Sequence, residues 1–451
     1  MIPIVTPEEM AEIDRAAPET TDVLVARAGS AVVREALRML GGAYGRRVVV
    51  VTGKGNNGAD GRAAAAGLDR RGVRAHVVDA ASAPQRLPDC DLVIDAAYGT
   101  GFRGEYRAPD PRGAPVLAVD IPSGVDGRTG ECGDESVWAA HTVTFAALKP
   151  GLLLYPGTDR AGDVAVADIG LDTSGARAHL VEAHDVSAWL PERPSETHKW
   201  KTAVWVVAGS PGMTGAAHLC ARSAMRAGAG TVRLGIPGSD PDPGSLEVVG
   251  RTLPAEGWDK VVVDDSTRAR ALVIGPGLAR TSATADAVRA LLAASPLPAI
   301  VDADGLYALG GVDDAAEVVR DRRPPTVLTP HEGEFARLRG AKPGADRLGE
   351  VRQLAAALGA TVLLKGSTTV VADPGGEVLL TNCGDSRLAT AGSGDVLAGV
   401  VGALLAQGLD GLRSAAAAAF VHGRAARLGW RRGLVAGDLI DLLPAAVARL
   451  S

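Results

Sequence analysis

Residues 48–62 read VVVVTGKGNNGADGR. A run of β-branched residues ends in a glycine turn, and an alanine-rich segment follows. The valines call for a strand buried on both faces, as in a parallel sheet. Gly53, Gly55 and Gly58 spell G-x-G-x-x-G, the dinucleotide fingerprint of a strand–turn–helix unit. Asp79 closes the next strand-like run, 21 residues past Gly58, where that fingerprint expects an acid for a ribose hydroxyl. Yet Asn56, Asn57 and Asp60 place three oxygen-bearing side chains in the loop. The fingerprint leaves the helix start bare, so that backbone N–H groups meet a diphosphate. A carboxylate at Asp60 would repel it. Carboxamide and carboxylate oxygens suit a hydroxyl-rich ligand or a hard cation better.

Working outward, the pattern repeats. VRAHVVD, DLVIDAAYGTG from Asp91, PVLAVDIPSG from Pro115 and HTVTFAA near 142–146 alternate strand and turn, with a helix expected over Arg62–Arg71. This predicts a Rossmann-like, doubly wound α/β sheet with ligands at the carboxyl ends of its strands. Asp95 and Asp120 each end a strand and lead into a glycine turn. One such acid is commonly an N-cap or turn residue. Three adjacent strand ends in register favour a polar site.

The text turns polar and proline-bearing over 171–200, which places a domain boundary between residues 1–185 and 190–451. A second α/β pattern then begins. AVWVVAGS (203–210), ALVIGPGL (271–278), PAIVDADGL (298–306), TVLTPH (326–331) and TVLLKG (361–366) read as strands entering turns. TTVVADPGGEVLLTN reads as a hairpin turning at Pro374–Gly376. ATAGSGDVLAGVVGALLAQG opens a helix on a glycine loop. There Gly392 and Gly394 let amides face an anion, and Asp395 follows within the first turn. That pairing suits phosphoryl transfer, with the aspartate taking a hydroxyl proton. Alone it is weak, because Asp is a favoured first-turn residue. Lys365 at a strand end and His331 at another strengthen it. No G-x-x-x-x-G-K-[ST] occurs, so a P-loop is excluded.

Composition bounds the rest. The chain has 451 residues, 46% hydrophobic and 22% charged, enough for two cores. A net charge of −6 gives no reason to expect nucleic acid or an anionic membrane. No apolar run reaches a membrane span, and MIPIVTPEEMAEIDRAA has no signal-peptide pattern. Cys90, Cys132, Cys220 and Cys383 show no zinc or disulfide spacing, so a reducing cytoplasm is expected.

GKGNNGADG, DAAYGTGFRG, DIPSGVDGRTG and LKPGLLLYPG together resemble the ordered motifs of the NAD(P)H-hydrate epimerase domain, also called the YjeF N-terminal domain, over roughly residues 1–170. The family loop reads G-N-N-G-G-D; Ala59 stands at its fifth position here. The resemblance implies exchange of the R and S epimers of hydrated NADH or NADPH at ring carbon C6. It implies a potassium ion held near Asn57, Asp95 and Ser123. Substrate contacts would fall on Asn56, Asn57, Gly58, Ala59 and Asp60, on Thr100, Gly101, Phe102, Arg103 and Gly104, and on Asp120. Asp120 is the expected proton-handling carboxylate.

GAAHLCARSAMRAGAG, GPGL, DADGL, LTPHEGEF, LKG and ATAGSGDVLAG resemble the ribokinase-like fold over roughly 195–450, and within it the NAD(P)H-hydrate dehydratase family. Ala391 replaces one glycine of the usual A-T-G-G-S-G-D. The resemblance implies that ADP or ATP, with magnesium, lies along Lys365, Gly366, Ser367, Thr368, Thr369 and Gly394. The hydrated nicotinamide would meet Ala217, Gly277, His331 and Asp395. It further implies a homo-oligomer of four or more copies. Two rivals stay open: a vitamin-precursor kinase of the hydroxyethylthiazole or hydroxymethylpyrimidine type, and an N-terminal half that binds without catalysing. A dehydrogenase ranks last.

Overall fold

The computed structural model describes residues 1–240 and 245–450. The chain divides into two compact units, Ile2–Ala178 and His179–Ser451, with Met1 counted with the second. The division falls ahead of the expected 185/190 boundary, because the polar stretch after it already carries a helix, Ala183–Trp189.

The first unit is built on β1 (Arg47–Thr52), β2 (Arg74–Asp79), β3 (Leu92–Ala96), β4 (Val116–Val119), β5 (His141–Phe145) and β6 (Asp163–Ala167). They form one sheet in the order β2-β1-β3-β4-β5-β6, all parallel. The opening valines show why. Val48 and Val50 pack in the core on one face with Ile94 and Leu117, and Val49 and Val51 pack on the other with Val93. Both faces are covered, as a parallel sheet requires. Helices α1 (Pro7–Ala16), α2 (Thr21–Leu40) and α3 (Asn56–Asp69) precede and follow β1. A Cβ on Gly29 would stand 2.7 Å from the Ala63 methyl, so that glycine lets α2 lie directly against α3. β6, which sequence patterning did not mark, completes the edge.

Helix α3 begins at Asn56, six residues before the expected Arg62. Asn56–Asp60 are therefore its first turn rather than a free loop. Ala59 sits in regular helix, so replacing the family glycine adds no strain there. A Cβ on Gly58 would overlap the Gly53 carbonyl, so this fingerprint glycine serves helix–strand packing.

The sheet of the second unit includes the run β15-β14-β13-β12-β11-β10-β7-β8-β9, with the short strand Ala178–Leu180 beyond β15. These are β7 (Ala203–Val207), β8 (Thr231–Pro237), β9 (Val248–Leu253), β10 (Ala271–Ile274), β11 (Ala299–Val301), β12 (Thr326–Leu328), β13 (Thr361–Leu364), β14 (Thr369–Ala372) and β15 (Val378–Thr381). The strands from β13 through β9 in that order pair parallel; β14 and β15 form the expected antiparallel hairpin. β8 and β9 were not marked by patterning. Helices α4 (Thr214–Arg226), α5 (Asp304–Leu309), α6 (Glu332–Arg339), α7 (Ser393–Ala406) and α8 (Gly411–Leu428) flank the sheet. From Val396 to Ala406 every residue of α7 is buried. Gly399 allows this: a Cβ there would overlap Ser223 and the Cys220 carbonyl of α4. The alanine run 415–419 is buried throughout on α8.

Candidate active sites

A cavity of about 760 Å³ opens at the carboxyl ends of the first unit's strands. Asn56, Asn57, Asp60, Asp79, Thr100, Gly101, Phe102, Arg103 and Asp120 line it. Gly58, Ala59 and Gly104 do not. Asp79 also caps a short turn through Ala81 N–H at 2.8 Å. The fingerprint acid thus does border the cavity, as it would for a ribose.

Asp120 has φ of +67°, a left-handed conformation that strains a residue bearing a Cβ. Its N–H donates to the Val143 carbonyl at 2.7 Å, which ties the turn to the neighbouring strand. Its Oδ1 accepts from Lys149 Nζ at 2.7 Å and Thr144 Oγ1 at 3.0 Å. Lys149 is 1% exposed and also donates to the Phe145 and Ala147 carbonyls. A buried ammonium held this way fixes one carboxylate oxygen of Asp120 and leaves Oδ2 toward Gly99 and Asn57. The LKPG motif contained this lysine. No role was assigned to it, because its partner lies 29 residues earlier and only the fold joins them.

Asp60 answers the charge question differently. Burial, reinforced by Asp120 and Asp14, pushes its carboxyl up to about 8. Burial likewise raises Asp14 on α1, against the pull of Lys149. At neutral pH the site thus holds a protonated Asp60 beside the Asp120–Lys149 salt bridge. A carboxyl held protonated in a cavity is a candidate general acid.

Asp95 is 2% exposed and lies outside the cavity wall. Its oxygens accept from Ser123 Oγ at 2.7 Å and Ser123 N–H at 2.8 Å, and burial pushes it up to about 6. Both amide atoms of Asn57 are buried without a hydrogen-bond partner. An orphaned carboxamide oxygen, a buried carboxylate and a serine hydroxyl are together the donor types that a hard cation takes.

In the second unit, backbone hydrogen bonds past the strand ends hold the turns in a row: Gly209 N–H to Pro276, Asp302 N–H to Ile274, Thr329 N–H to Val301 and Lys365 N–H to Pro330. Gly392 has φ of +86° and caps α7. Asp395 is half-buried, and burial, with Asp302 next, pushes its carboxyl up to about 6. Lys365 Nζ donates to Asp302 Oδ1 at 2.6 Å. A Cβ on Gly394 would lie 3.3 Å from Lys365 Nζ, so the anion-hole glycine and the lysine meet. Asp302 is 1% exposed, and its Oδ2 has no partner. Burial raises Glu334, which faces Lys365 and Asp302. Asp302 stood in the quoted DADGL motif and Glu334 in LTPHEGEF without roles; the signal available was an acid at a strand end or helix start.

His331 is the N-cap of α6, its Nδ1 accepting from Gly333 N–H at 2.9 Å. Its Nε2 lies 3.4 Å from Glu334 Oε1 of the same helix. Gly366 and Ser367 are exposed beside Lys365, Thr369 is half-buried, and Thr368 is buried. Ala217 does not fit its expected place. It is 0% exposed in the core, and Ala216 instead faces Gly277.

Comparison with known proteins agrees with both halves. The family model described as YjeF-related protein N-terminus matches residues 21–91 and 78–151, and NAD(P)H-hydrate dehydratase matches 204–445. A bifunctional NAD(P)H-hydrate repair enzyme of Mycobacterium leprae is 42% identical, over 88% of this chain and 87% of its own. One from Moorella thermoacetica is 36% identical, over 99% and 97%. The ADP/ATP-dependent NAD(P)H-hydrate dehydratase of Bacillus subtilis, crystallised with ATP and Mg²⁺, is 32% identical with a TM-score of 0.51, covering 60% of this chain and 97% of that one. The chain belongs to the bifunctional NAD(P)H-hydrate repair family, an epimerase-type unit joined to a ribokinase-like dehydratase unit.

Proposed function

We propose that this chain returns hydrated NADH and NADPH to use: it epimerises the R and S forms and dehydrates the S form with ADP. The observation that carries the reading is the presence of two complete sites, the Asp120–Lys149 cavity and the Asp395–Lys365 anion hole, on one chain of this family.

In the first site the substrate carries a hydroxyl on C6 beside the ring nitrogen. Protonated Asp60 gives its proton to that hydroxyl. The C6–O bond breaks, water leaves, and the nitrogen lone pair forms an iminium. A water then adds to the opposite face and gives its proton to the Asp120 carboxylate, which Lys149 holds in place. The proton returns to Asp60 across the cavity, closing the cycle. Asn57, Asp95 and Ser123 would hold potassium, which supplies a fixed positive charge near the bound ring.

In the second site Asp395 removes the proton of the C6 hydroxyl. The oxygen bonds to the terminal phosphorus of ADP, and AMP departs. Phosphate then leaves with the C–O bonding electrons as a C5 proton is lost, and the ring double bond returns. Hydroxide would leave poorly; phosphate leaves readily. Lys365 and the α7 N–H groups near Gly394 stabilise charge on the transferred group. The unpartnered Asp302 oxygen and Glu334 fit the magnesium that accompanies the nucleotide. The salt bridge from Lys365 makes the anion hole depend on Asp302. The family resemblance adds a cytoplasmic location and a homo-oligomer of four or more copies.

The test is to mix R,S-NADHX with the full chain and ADP or ATP and follow NADH absorbance. Complete recovery is expected with ADP. Recovery of half the material would remove the epimerase assignment. No recovery, with a thiazole or pyrimidine alcohol phosphorylated instead, would favour the kinase reading.

A further inference from the structure

We propose that Arg280, Tyr307 and Arg337 form a platform at the dehydratase site that grips the diphosphate of the dinucleotide substrate, an assignment that rests on the dehydratase reading above.

The need arises from charge. A hydrated nicotinamide dinucleotide brings two phosphates, yet the residues expected to meet its ring bring no fixed cation. Lys365 is engaged with Asp302, and the reading above assigns it to the phosphate donor. The three residues of the platform come from the segments that follow β10, β11 and β12, the segments that also carry Gly277, Asp302 and His331. Arg280 follows Gly277 by three positions, and Arg337 lies on α6, which His331 caps. Tyr307 lies on α5 between them.

The geometry is that of a built site. The Arg337 guanidinium stacks 3.5 Å from the Tyr307 ring centroid, and Arg280 lies 4.9 Å from it. Arg280 Nε donates to Asp304 Oδ1 at 2.7 Å, and Asp304 Oδ2 accepts from Ala279 N–H at 3.1 Å. Ala279 has φ of +69°, so strain is retained at the residue that aims Arg280. Asp304 itself is 8% exposed and fixed in α5. Among the described residues no carboxylate pairs with Arg337. Stacking occupies the flat face of a guanidinium and leaves its in-plane N–H fork free, and Arg280 spends only Nε on Asp304. Forks presented in this way match phosphate oxygens in bidentate fashion. Both guanidinium groups are exposed, so their free N–H groups are open to a ligand.

The experiment uses the full chain with ADP and magnesium and two substrates: S-NADHX and hydrated reduced nicotinamide riboside, which lacks phosphates. Arg337→Gln is expected to raise KM for S-NADHX about tenfold with kcat within twofold, and to leave the riboside unaffected. Arg280→Lys, which retains the charge but loses the fork, should raise KM severalfold while thermal unfolding stays unchanged. KM for S-NADHX unchanged in both variants, or an equal loss on the riboside, overturns the platform. Absence of NADH recovery by the unmutated chain would overturn the dehydratase reading and the platform with it.

Discussion

Lys149 Nζ stands 2.7 Å from Asp120 Oδ1, and the lysine is 1% exposed. The ammonium reaches across from the residue after Leu148 to a strained aspartate on the neighbouring strand end. Removing it leaves Asp120 without its counter-charge and takes one donor each from the Phe145 and Ala147 carbonyls. Lys149→Met is expected to lower kcat for epimerisation about 10²–10⁴-fold. Dehydration of S-NADHX should stay unchanged, because Lys149 lies in the other unit. Interconversion of the R and S forms, followed by NMR without ADP, measures the first. Undiminished epimerisation would remove Lys149 from the mechanism.

Asp60 makes the first unit sensitive to alkali. Its folded carboxyl titrates at about 8, above the ordinary 3.8, so the folded state favours the protonated form. The stability this confers is fully present below the unfolded value and is lost as pH rises from about 4 through about 8. Asp60→Asn keeps a neutral polar group of the same shape. It should stabilise the first unit at pH 9 by roughly 1–3 kcal/mol relative to the unmutated chain, with a smaller difference at pH 5. Urea unfolding at the two pH values checks this. Epimerisation should fall at every pH, since the amide cannot give up the proton.

The repeated strand–turn text made the parallel sheets legible, and the valine run determined both covered faces of β1. The chemistry inside the glycine fingerprint was legible too, because Asn56, Asn57 and Asp60 are the wrong residues for a bare diphosphate cradle. What stayed hidden follows from distance and propensity. Asn and Gly are poor helix formers, so the α3 start at Asn56 read as loop. Thr231–Pro237 carries Arg233 and Gly235 inside a strand, which masks it. Lys149 and Asp302 each acquire meaning only through a partner on another strand end, and no local pattern announces such pairs. Ala217 shows the converse: a motif position carried over by resemblance can turn its side chain into the core.

Lys365 and Asp302 form the second buried pair, at 2.6 Å. The lysine is partly exposed and the aspartate is not, so the two deletions differ. Lys365→Met strands a buried carboxylate and should destabilise the second unit by about 3 kcal/mol as well as weaken ADP binding. Asp302→Asn leaves Lys365 able to turn toward solvent, and its main cost should be kcat for dehydration. Paired calorimetric melts and ADP titrations separate these outcomes. Equal melting temperatures for the two variants would count against this asymmetry.

Asp395 sets the pH dependence of dehydration. Burial and Asp302 hold its carboxyl near 6, and a protonated carboxyl cannot take the hydroxyl proton. The kcat/KM for S-NADHX with ADP should rise about tenfold per pH unit below 6 and level off above it. The same shift acts on stability with the opposite consequence for function. A raised folded value favours the protonated form, so folding is most favoured below about 4 and loses that support as pH climbs through 6. Enzyme poised to react at pH 7.5 is therefore enzyme carrying a half-buried charge near Asp302. Asp395→Asn should abolish dehydration by about 10²–10⁴-fold and at the same time raise the melting temperature at pH 8 while leaving it nearly unchanged at pH 4. A variant that lost both activity and stability at pH 8 would show that Asp395 holds the α7 start together, and that the catalytic proton goes elsewhere.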